Sequence, residues 1–227
     1  MWYKKFHAHM LTSLKIIQVF LKWSKKSNFE MSFPSGSHPL IKLIESWKKF
    51  RTSKGYSAVV LMDLSKAFDT INHDLLVAKL SAYGVKDQAL KVIMSYLKNR
   101  YQRTKVNEEF STWEELLTGV PQGSVLGPLL FNIYLNDLLY TVEKTDICNF
   151  ADDTTPYANG YNLKEVMSDV EHDCNILVEW FRINYMTLNA AKCHLIVSGM
   201  KDEAMFAKFD GTTMWEEDSV KIVRFNH

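Results

Sequence analysis

The sequence is poor in cysteine and has no long apolar run. Its three cysteines, Cys148, Cys174 and Cys193, lack the spacing of a zinc site or of a disulfide framework. We therefore expect a reducing intracellular compartment and no secretion. No stretch reaches the roughly 18 apolar residues of a membrane-spanning helix, so we predict no membrane association. Lys15 interrupts the apolar stretch near the N terminus, and no small-residue cleavage site follows it, which excludes a typical signal peptide.

Internal repeats and low-complexity tracts are also lacking. The 227 residues are 47% hydrophobic and 23% charged, which is typical of one large or two small globular domains. Charge is unevenly spread: residues 1–54 hold 11 Lys and Arg against 2 Asp and Glu, whereas residues 55–227 hold 16 against 24. A polyanionic partner for the N-terminal segment explains this asymmetry, and so does a solvated basic helix.

A continuous apolar run, Ala58-Val59-Val60-Leu61-Met62, ends in a carboxylate at Asp63. Such a run predicts a strand that is buried on both faces. An Asp at the end of a buried strand is notable because an unpaired carboxylate is costly to bury. Two interpretations remain at this point: Asp63 serves a site, or it starts a turn or caps a helix.

Two adjacent carboxylates, Asp152 and Asp153, lie between two short segments of strand-like composition. This pattern predicts a β-hairpin with the pair near its tip, where one carboxylate faces a site and the other lies close by. Taken alone, the pair also fits ordinary turn chemistry, because Asp tolerates tight backbone conformations.

Proline and glycine are concentrated in residues 119–128, which rules out a regular element through most of that segment. Pro128 suits the first turn of an apolar helix that we predict over residues 129–140. A glycine-rich approach to a helix lets the backbone come close to a ligand. An ordinary tight loop is the simpler alternative.

Periodicity predicts further elements along the chain. The predicted elements are helices over residues 11–23, 40–50, 74–83, 88–98 and 163–184, and a strand over residues 194–198. A basic, strand-like stretch with Arg100, Arg103 and Lys105 either follows a phosphate backbone or is solvated. The last 25 or so residues are weakly patterned.

Four motifs in fixed order resemble the reverse transcriptases of non-LTR (LINE-type) retrotransposons. They are DLSKAFD at 63–69 (motif A), GVPQGSVLGPLLF at 119–131 (motif B), FADD at 150–153 (motif C) and LNAAK at 188–192 (motif D). The resemblance covers roughly residues 35–200. It implies an α+β fold, a polymerase palm with an antiparallel sheet and helices packed mainly on one face, plus partial fingers helices.

The resemblance also implies a domain layout. Residues 1–54 correspond to a partial fingers or N-terminal helical segment, residues 55–200 to the palm, and residues 201–227 to a C-terminal tail. Only about 60 residues precede Asp63, which is short of the family's extended fingers. We find no match to the Leu-Gly of its primer grip, to its thumb or to its endonuclease. We therefore expect a copy that is truncated at both ends and keeps catalytic residues without a complete cleft for the duplex.

The implied activity is that of an RNA-directed DNA polymerase, with an RNA template, a DNA primer and dNTPs. Nucleotide addition uses two metal ions about 3.5–4 Å apart. Mg²⁺, with Mn²⁺ as a substitute, takes oxygen ligands. By resemblance, Asp63 and Asp152 would bridge the two ions and Asp153 would complete the site, because clustered carboxylates repel one another without a cation.

Other roles carried over by resemblance fall on individual residues. Phe68 matches the steric gate that excludes a 2′-hydroxyl, although a core Phe is the alternative. Gln122 and Gly123 belong to the loop beside the templating base pair and the incoming nucleotide. Lys192 is a candidate to protonate or stabilise the departing pyrophosphate. Asp69 is expected to cap the next helix.

Two competing hypotheses remain. A non-catalytic relic of a retroelement would at most bind nucleic acid through its basic N-terminal segment. A two-metal nuclease or a nucleotide cyclase would use similar carboxylates. Phe68 and Gln122 argue against both enzymes of the second hypothesis, because neither needs a sugar gate or a template-contacting loop.

Overall fold

A computed structural model describes residues 38–121, 123–150, 152–201 and 203–217. The helix predicted over residues 11–23, most of the basic N-terminal segment, Gln122 and the last ten residues lie outside these ranges. The helices are α1 (His38–Thr52), α2 (His73–Ala82), α3 (Asp87–Leu97), α4 (Leu126–Leu135) and α5 (Leu163–Ile183). The strands are β1 (Tyr56–Leu61), β2 (Tyr101–Gln102), β3 (Lys105–Val106), β4 (Glu109–Phe110), β5 (Glu114–Glu115), β6 (Asp146–Phe150), β7 (Asp153–Gly160), β8 (His194–Ser198), β9 (Phe206–Phe209) and β10 (Thr212–Trp215).

The described residues form two compact units. One consists of residues 68–136, and the other of residues 38–67 together with 137–217. We call them the helical unit and the sheet unit, respectively. The domain layout of 1–54, 55–200 and 201–227 stays a prediction.

The sheet unit is built on four antiparallel strands in the order β6-β7-β1-β8. The central strand β1 is the apolar run that the sequence predicted to be buried on both faces, and Ser57 to Val60 are indeed buried. Val59 lies opposite Tyr157 on one neighbour and Ile196 on the other. Because opposite residues point to the same face, these three side chains form a row across the sheet.

Helices cover both faces of this sheet. Leu43 and Trp47 of α1 pack against the row of Val59, Tyr157 and Ile196. Ala58 and Val60 point the other way, are fully buried, and lie under α5, which contacts β1 and β7. The predicted α+β class with an antiparallel sheet is confirmed, but helices cover both faces of the sheet and not mainly one. Among the described residues α5 is the longest helix, with 21 residues.

The helical unit contains α2, α3, α4 and two short antiparallel strand pairs, β2 with β5 and β3 with β4. The prediction that Asp69 caps the next helix is wrong. Asn72 is the N-cap of α2, and its side-chain oxygen accepts a hydrogen bond from the N–H of Leu75 at 2.9 Å. Asx residues cap best when they directly precede the first turn, which is where Asn72 stands.

Helix α4 begins at Leu126 and ends at Leu135, earlier at both ends than the predicted 129–140. Pro128 is its third residue, where a missing N–H costs nothing because the first turn has no intrahelical acceptor. A separate 3₁₀ turn covers Leu138–Tyr140.

The stretch that the sequence marked as basic and strand-like leads into the paired strands β2–β5 of residues 101–115. The hairpin of β9 and β10 was missing from the sequence-based prediction, because it lies in the segment that appeared weakly patterned. Among the described residues, no helix is both long enough and apolar enough to cross a membrane.

Candidate active site

Asp63 lies directly beyond the last pairing of β1 with β7. Met62 and Thr154 form a bridge in which each N–H donates to the other residue's carbonyl, at 2.9 and 3.3 Å. Asp63 directly follows Met62 and Asp153 directly precedes Thr154, so both carboxylates stand next to this bridge. The register therefore brings the motif A carboxylate to the hairpin of motif C.

The Asp152-Asp153 pair stands at the tip of the β6–β7 hairpin, as the sequence predicted. Phe150 pairs with Asp153, so Asp152 occupies the tight turn between the two strands. Asp152 is half-buried and Asp153 is exposed. The turn is held in place because residues 154–158 of β7 are all buried behind it.

Motif D pairs with motif A on the other side. Ser65 donates its N–H to the carbonyl of Thr187, and Asn189 donates its N–H to the carbonyl of Asp63, both at 2.8 Å. A 3₁₀ turn, Ala190–Lys192, follows directly. This turn places Lys192 Nζ at 3.5 Å from Asp63 Oδ2. The backbone pairing thus explains how two residues that are far apart in the chain become an ion pair.

Asp63 is the electrostatic centre of this arrangement. Its side chain is 28% exposed, and its Oδ2 atom is buried without a hydrogen-bond donor among the described residues. The Lys192 ammonium, whose side chain is 56% exposed, forms an ion pair with this oxygen. A buried carboxylate oxygen that lacks a donor is suited to a cation, because a cation offsets the cost of desolvating the charge.

Two further polar side chains lie below the hairpin tip, and the sequence reasoning missed them. Asn149 and Thr154 stand opposite each other on β6 and β7 and are buried. The described residues offer no hydrogen-bond partner to either Asn149 side-chain polar atom or to Thr154 Oγ1. The sequence carried no signal for this pair, because Asn and Thr beside a turn ordinarily suggest surface positions.

Phe68 belongs to the helical unit, where it contacts motif B. Its carbonyl accepts a hydrogen bond from the N–H of Val120 at 3.0 Å. Its ring stacks on Phe131 with a centroid distance of 4.3 Å and an interplanar angle of 18°. The ring is half-buried, so packing within the unit accounts for part of its surface and leaves part accessible.

The loop of motif B is shaped by local hydrogen bonds. Gly119 has a φ of +82° and lies against Asp69, where a Cβ would be 2.9 Å from the backbone, so only glycine fits. Ser124 Oγ donates to the carbonyl of Pro121 at 2.7 Å and accepts from the N–H of Gly127 at 2.9 Å. Gly123 is exposed with a φ of +74°. Gln122 lies outside the described residues.

A family model described as reverse transcriptase (RNA-dependent DNA polymerase) matches residues 3–224. The chain belongs to the reverse transcriptase family. The resemblance to the non-LTR retrotransposon type that the four motifs indicated is confirmed. Reverse transcriptases generally use a divalent metal.

Curated relatives point to the same family. A Pol polyprotein of a type-1 retrotransposable element R2 from Popillia japonica is 32% identical over 160 residues, which cover 66% of this chain and 26% of that protein. The RNA-directed DNA polymerase of the mobile element jockey from Drosophila melanogaster is 28% identical over 148 residues, with 62% of this chain and 16% of that protein covered. This chain thus spans about a quarter or less of these two relatives.

Solved structures show the same fold. A telomerase from Candida tropicalis in complex with a fragment of telomeric RNA has a TM-score of 0.60 at 15% identity, and the match covers 98% of this chain and 40% of the telomerase chain. An apo telomerase from the same organism, truncated from its C-terminal domain, has a TM-score of 0.59 at 14% identity, with 93% and 45% covered. At this identity the likeness shows the polymerase fold alone.

Proposed function

We propose that this reverse transcriptase domain adds deoxynucleotides to a DNA primer on an RNA template, through Asp63, Asp152 and Asp153. The observation that supports the proposal is the Met62–Thr154 bridge, because Asp63 directly follows Met62 and Asp153 directly precedes Thr154. The Lys192 ammonium at 3.5 Å from Asp63 adds a cation to the same place. RNA template, DNA primer and dNTPs are the partners that this assignment requires.

The metal of this proposal is Mg²⁺, with Mn²⁺ as a substitute. Its ligands would be the carboxylates of Asp63, Asp152 and Asp153, and the buried, donor-free Oδ2 atom of Asp63 fits such a role. Among the described residues, no group of three or more His, Cys, Asp or Glu side chains is close enough to hold a metal by itself. Mg²⁺ usually takes one or two carboxylates together with water and substrate phosphates, so the residues present fit a site that the nucleotide completes.

Bound metal would supply activation of the primer 3′-hydroxyl and charge stabilisation of the leaving pyrophosphate. The chain's own part is to hold the carboxylates on a rigid sheet end and to provide a cation. Lys192 pairs with Asp63 and is mostly exposed, so its flexible side chain can turn toward a phosphate that enters beside it. We propose that Lys192 protonates or stabilises the departing pyrophosphate.

The remaining motif residues keep proposed roles that rest on family membership. Phe68 would act as the gate against ribonucleotides, and Gln122 and Gly123 would lie beside the templating pair and the incoming nucleotide. The layout of partial fingers at 1–54, palm at 55–200 and tail at 201–227 belongs to the same proposal.

Primer extension on poly(rA)/oligo(dT) with Mg²⁺ tests the catalytic assignment. The variant Asp152→Asn with Asp153→Asn is expected to lose at least about 100-fold in extension rate, because neutral amides bind the metal poorly. Asp169→Asn is the matched control, since this carboxylate stands on α5 and pairs with Lys144 at 3.5 Å. Equal rates for the double variant and the control would refute the polymerase proposal. RNA binding that persists with no extension in any variant would favour the non-catalytic hypothesis.

A further inference from the structure

The segment of residues 101–115, which we call the ribbon, is a bent antiparallel hairpin with an unusual surface. Tyr101 pairs with Glu115 and Gln102 with Glu114 at its base, and Lys105 pairs with Phe110 and Val106 with Glu109 toward its tip. Ser111 donates its N–H to the carbonyl of Thr104 at 3.0 Å between these pairs. All residues from Tyr101 to Glu115 are exposed.

Strand alternation sorts the ribbon's side chains by chemistry. Tyr101, Arg103 and Lys105 share one face, and Phe110 joins them because it lies opposite Lys105. The Arg103 guanidinium lies 3.9 Å from the ring centroid of Phe110 and 4.6 Å from that of Trp113. We call these five residues the aromatic–basic face.

The other face of the ribbon is acidic and has no aromatic residue. It presents the pair of Gln102 with Glu114 and the pair of Val106 with Glu109. Two carboxylates lie near the aromatic–basic face: Glu115 stands opposite Tyr101, and Glu108 at the tip pairs with Lys105 at 3.1 Å. The Glu108 side chain is 91% exposed, so this ion pair contributes little and exchanges readily for a phosphate.

The exposed rings call for an explanation. Tyr101, Phe110 and Trp113 are each at least half exposed, at 56%, 50% and 60%. Contiguous exposed aromatic surface of this kind marks interaction sites. Arg103 between two rings is held in one orientation, so its N–H edge is pre-organised for phosphate oxygens while the outer ring faces stay accessible.

We propose that the aromatic–basic face binds a single-stranded segment of RNA, with bases stacked on Trp113 and Phe110 and phosphates on Arg103 and Lys105. Stacking on aromatic rings beside cations is how proteins hold single strands without reading sequence. A duplex does not fit this surface, because its base faces are already stacked on one another. The inference deepens the proposed function, on which it rests for the choice of RNA.

Binding of a short labelled oligo(rU) to the full chain, followed by fluorescence anisotropy in EDTA, tests this inference without metal or catalysis. Trp113→Ala is expected to weaken binding about 5- to 100-fold. Arg103→Ala is expected to reduce the slope of log affinity against log salt concentration by about one phosphate contact. Arg103→Lys is expected to keep that slope but to bind more weakly, because lysine cannot stack between the two rings. The double variant Val106→Ala with Glu109→Gln on the acidic face is the matched control and is expected to leave binding unchanged.

Photo-crosslinking locates the contact directly. Oligo(rU) that carries 5-iodouridine is expected to crosslink within residues 101–113, as mapped by mass spectrometry, because the reaction favours stacked aromatic rings. Crosslinks found only elsewhere, or equal affinities for Trp113→Ala and the acidic-face control, would overturn the inference. So would an acidic peptide that binds this face while oligo(rU) does not.

The two proposals can fail separately. Asp152→Asn with Asp153→Asn is expected to bind oligo(rU) as the unchanged chain does, because these residues lie outside the ribbon. Ribbon-dependent binding without primer extension would remove the polymerase proposal and keep this inference. Primer extension together with oligo(rU) binding that does not depend on Trp113 or Arg103 would remove this inference and keep the polymerase proposal.

Discussion

Two antiparallel hairpins of this chain have opposite surroundings. The β6–β7 hairpin of the sheet unit carries Asp152 and Asp153 at its tip, and residues 154–158 behind them are all buried. The ribbon of the helical unit carries Arg103, Phe110 and Trp113, and all of its residues from 101 to 115 are exposed. Both are tight hairpins with polar and charged residues, yet only the first is part of a core.

This difference shows how each hairpin positions its side chains. The position of the carboxylates is set by strands that cannot shift, because a one-residue slip would turn buried side chains toward water. The ribbon has no buried face that fixes its register. Its conformation therefore depends on cross-strand pairs and on the contact of Arg103 with the rings of Phe110 and Trp113. We infer that the fixed tip of the β6–β7 hairpin is suited to catalysis. The exposed ribbon is suited to binding a partner, because the partner would contact the side chains that the core does not cover.

The same substitution in the two regions gives the largest expected contrast in stability. Val60→Ala in β1 removes a side chain that is 0% exposed, and we expect it to lower the free energy of unfolding by about 2.5 kcal/mol. Val106→Ala in the ribbon removes one that is 62% exposed, and we expect a change within about 0.5 kcal/mol. Urea unfolding measures both. Similar losses for the two variants would mean that the ribbon is packed as a core element.

The next largest contrast in stability involves Asp173, which binds the backbone of residues 143–145 directly before β6. This buried carboxylate accepts hydrogen bonds from the N–H groups of Glu143, Lys144 and Thr145 and from the Thr145 hydroxyl. Asp173→Asn places an amide donor against those donors, and we expect a loss of about 2 kcal/mol in urea unfolding. Glu114→Gln in the ribbon changes a carboxylate that accepts one exposed bond from Thr112, so it is the control and is expected to cost little.

The same residue gives this prediction a pH signature. Burial alone raises the pKa of Asp173, but the hydrogen bonds from Lys144, Thr145 and Glu143 outweigh it and hold the pKa below its ordinary value. A lowered pKa in the folded state stabilises the fold above the unfolded value of about 3.9 and loses that effect as the pH falls through the folded pKa. Asp173→Asn is therefore expected to flatten the acid side of the stability curve. An unchanged acid slope would contradict this assignment.

Two partly exposed ion pairs, one in each unit, give the smallest expected contrast, which is a difference in Mn²⁺ affinity. Lys192 lies 3.5 Å from Asp63, and Lys105 lies 3.1 Å from Glu108 in the ribbon. If Asp63 binds metal, Lys192→Met removes a competing cation and is expected to tighten Mn²⁺ binding about two- to fivefold by calorimetry, the size of a partly exposed ion pair. Lys105→Met is the matched control with no expected change. Weaker Mn²⁺ binding by Lys192→Met would show that Lys192 supports the metal site instead of competing with it.

Much of the fold could be predicted because its signals are local. The apolar run of β1 and the long stripe of α5 required no knowledge of other segments, since burial and helical periodicity are written in neighbouring residues. The predictions that failed depended on exact local partners. Asn72 and not Asp69 caps α2, and α4 starts three residues early because Ser124 bonds the N–H of Gly127.

The candidate site was only partly accessible from the sequence. Motif order indicated Asp63, Asp152, Asp153 and Lys192, but no sequence rule states that Lys192 lies beside Asp63. Nor could the buried pair of Asn149 and Thr154 be foreseen. These positions follow from pairing between distant segments, with Met62 bridged to Thr154 and Asn189 bonded to Asp63, which single-sequence periodicity does not encode.

The sequence by itself determined the family, the order of the four motifs and the buried strand that ends at Asp63. Tertiary structure alone decided that β1 lies between β7, which begins within motif C, and β8, which follows motif D. It also decided that α1 and α5 cover opposite faces of the sheet, and that Glu109 and Glu114 of the ribbon pair with Val106 and Gln102, away from Arg103. The physical reason is that composition and periodicity record whether a residue is buried. Which residue it meets depends on pairing between distant strands, and that is settled only when the whole sheet forms.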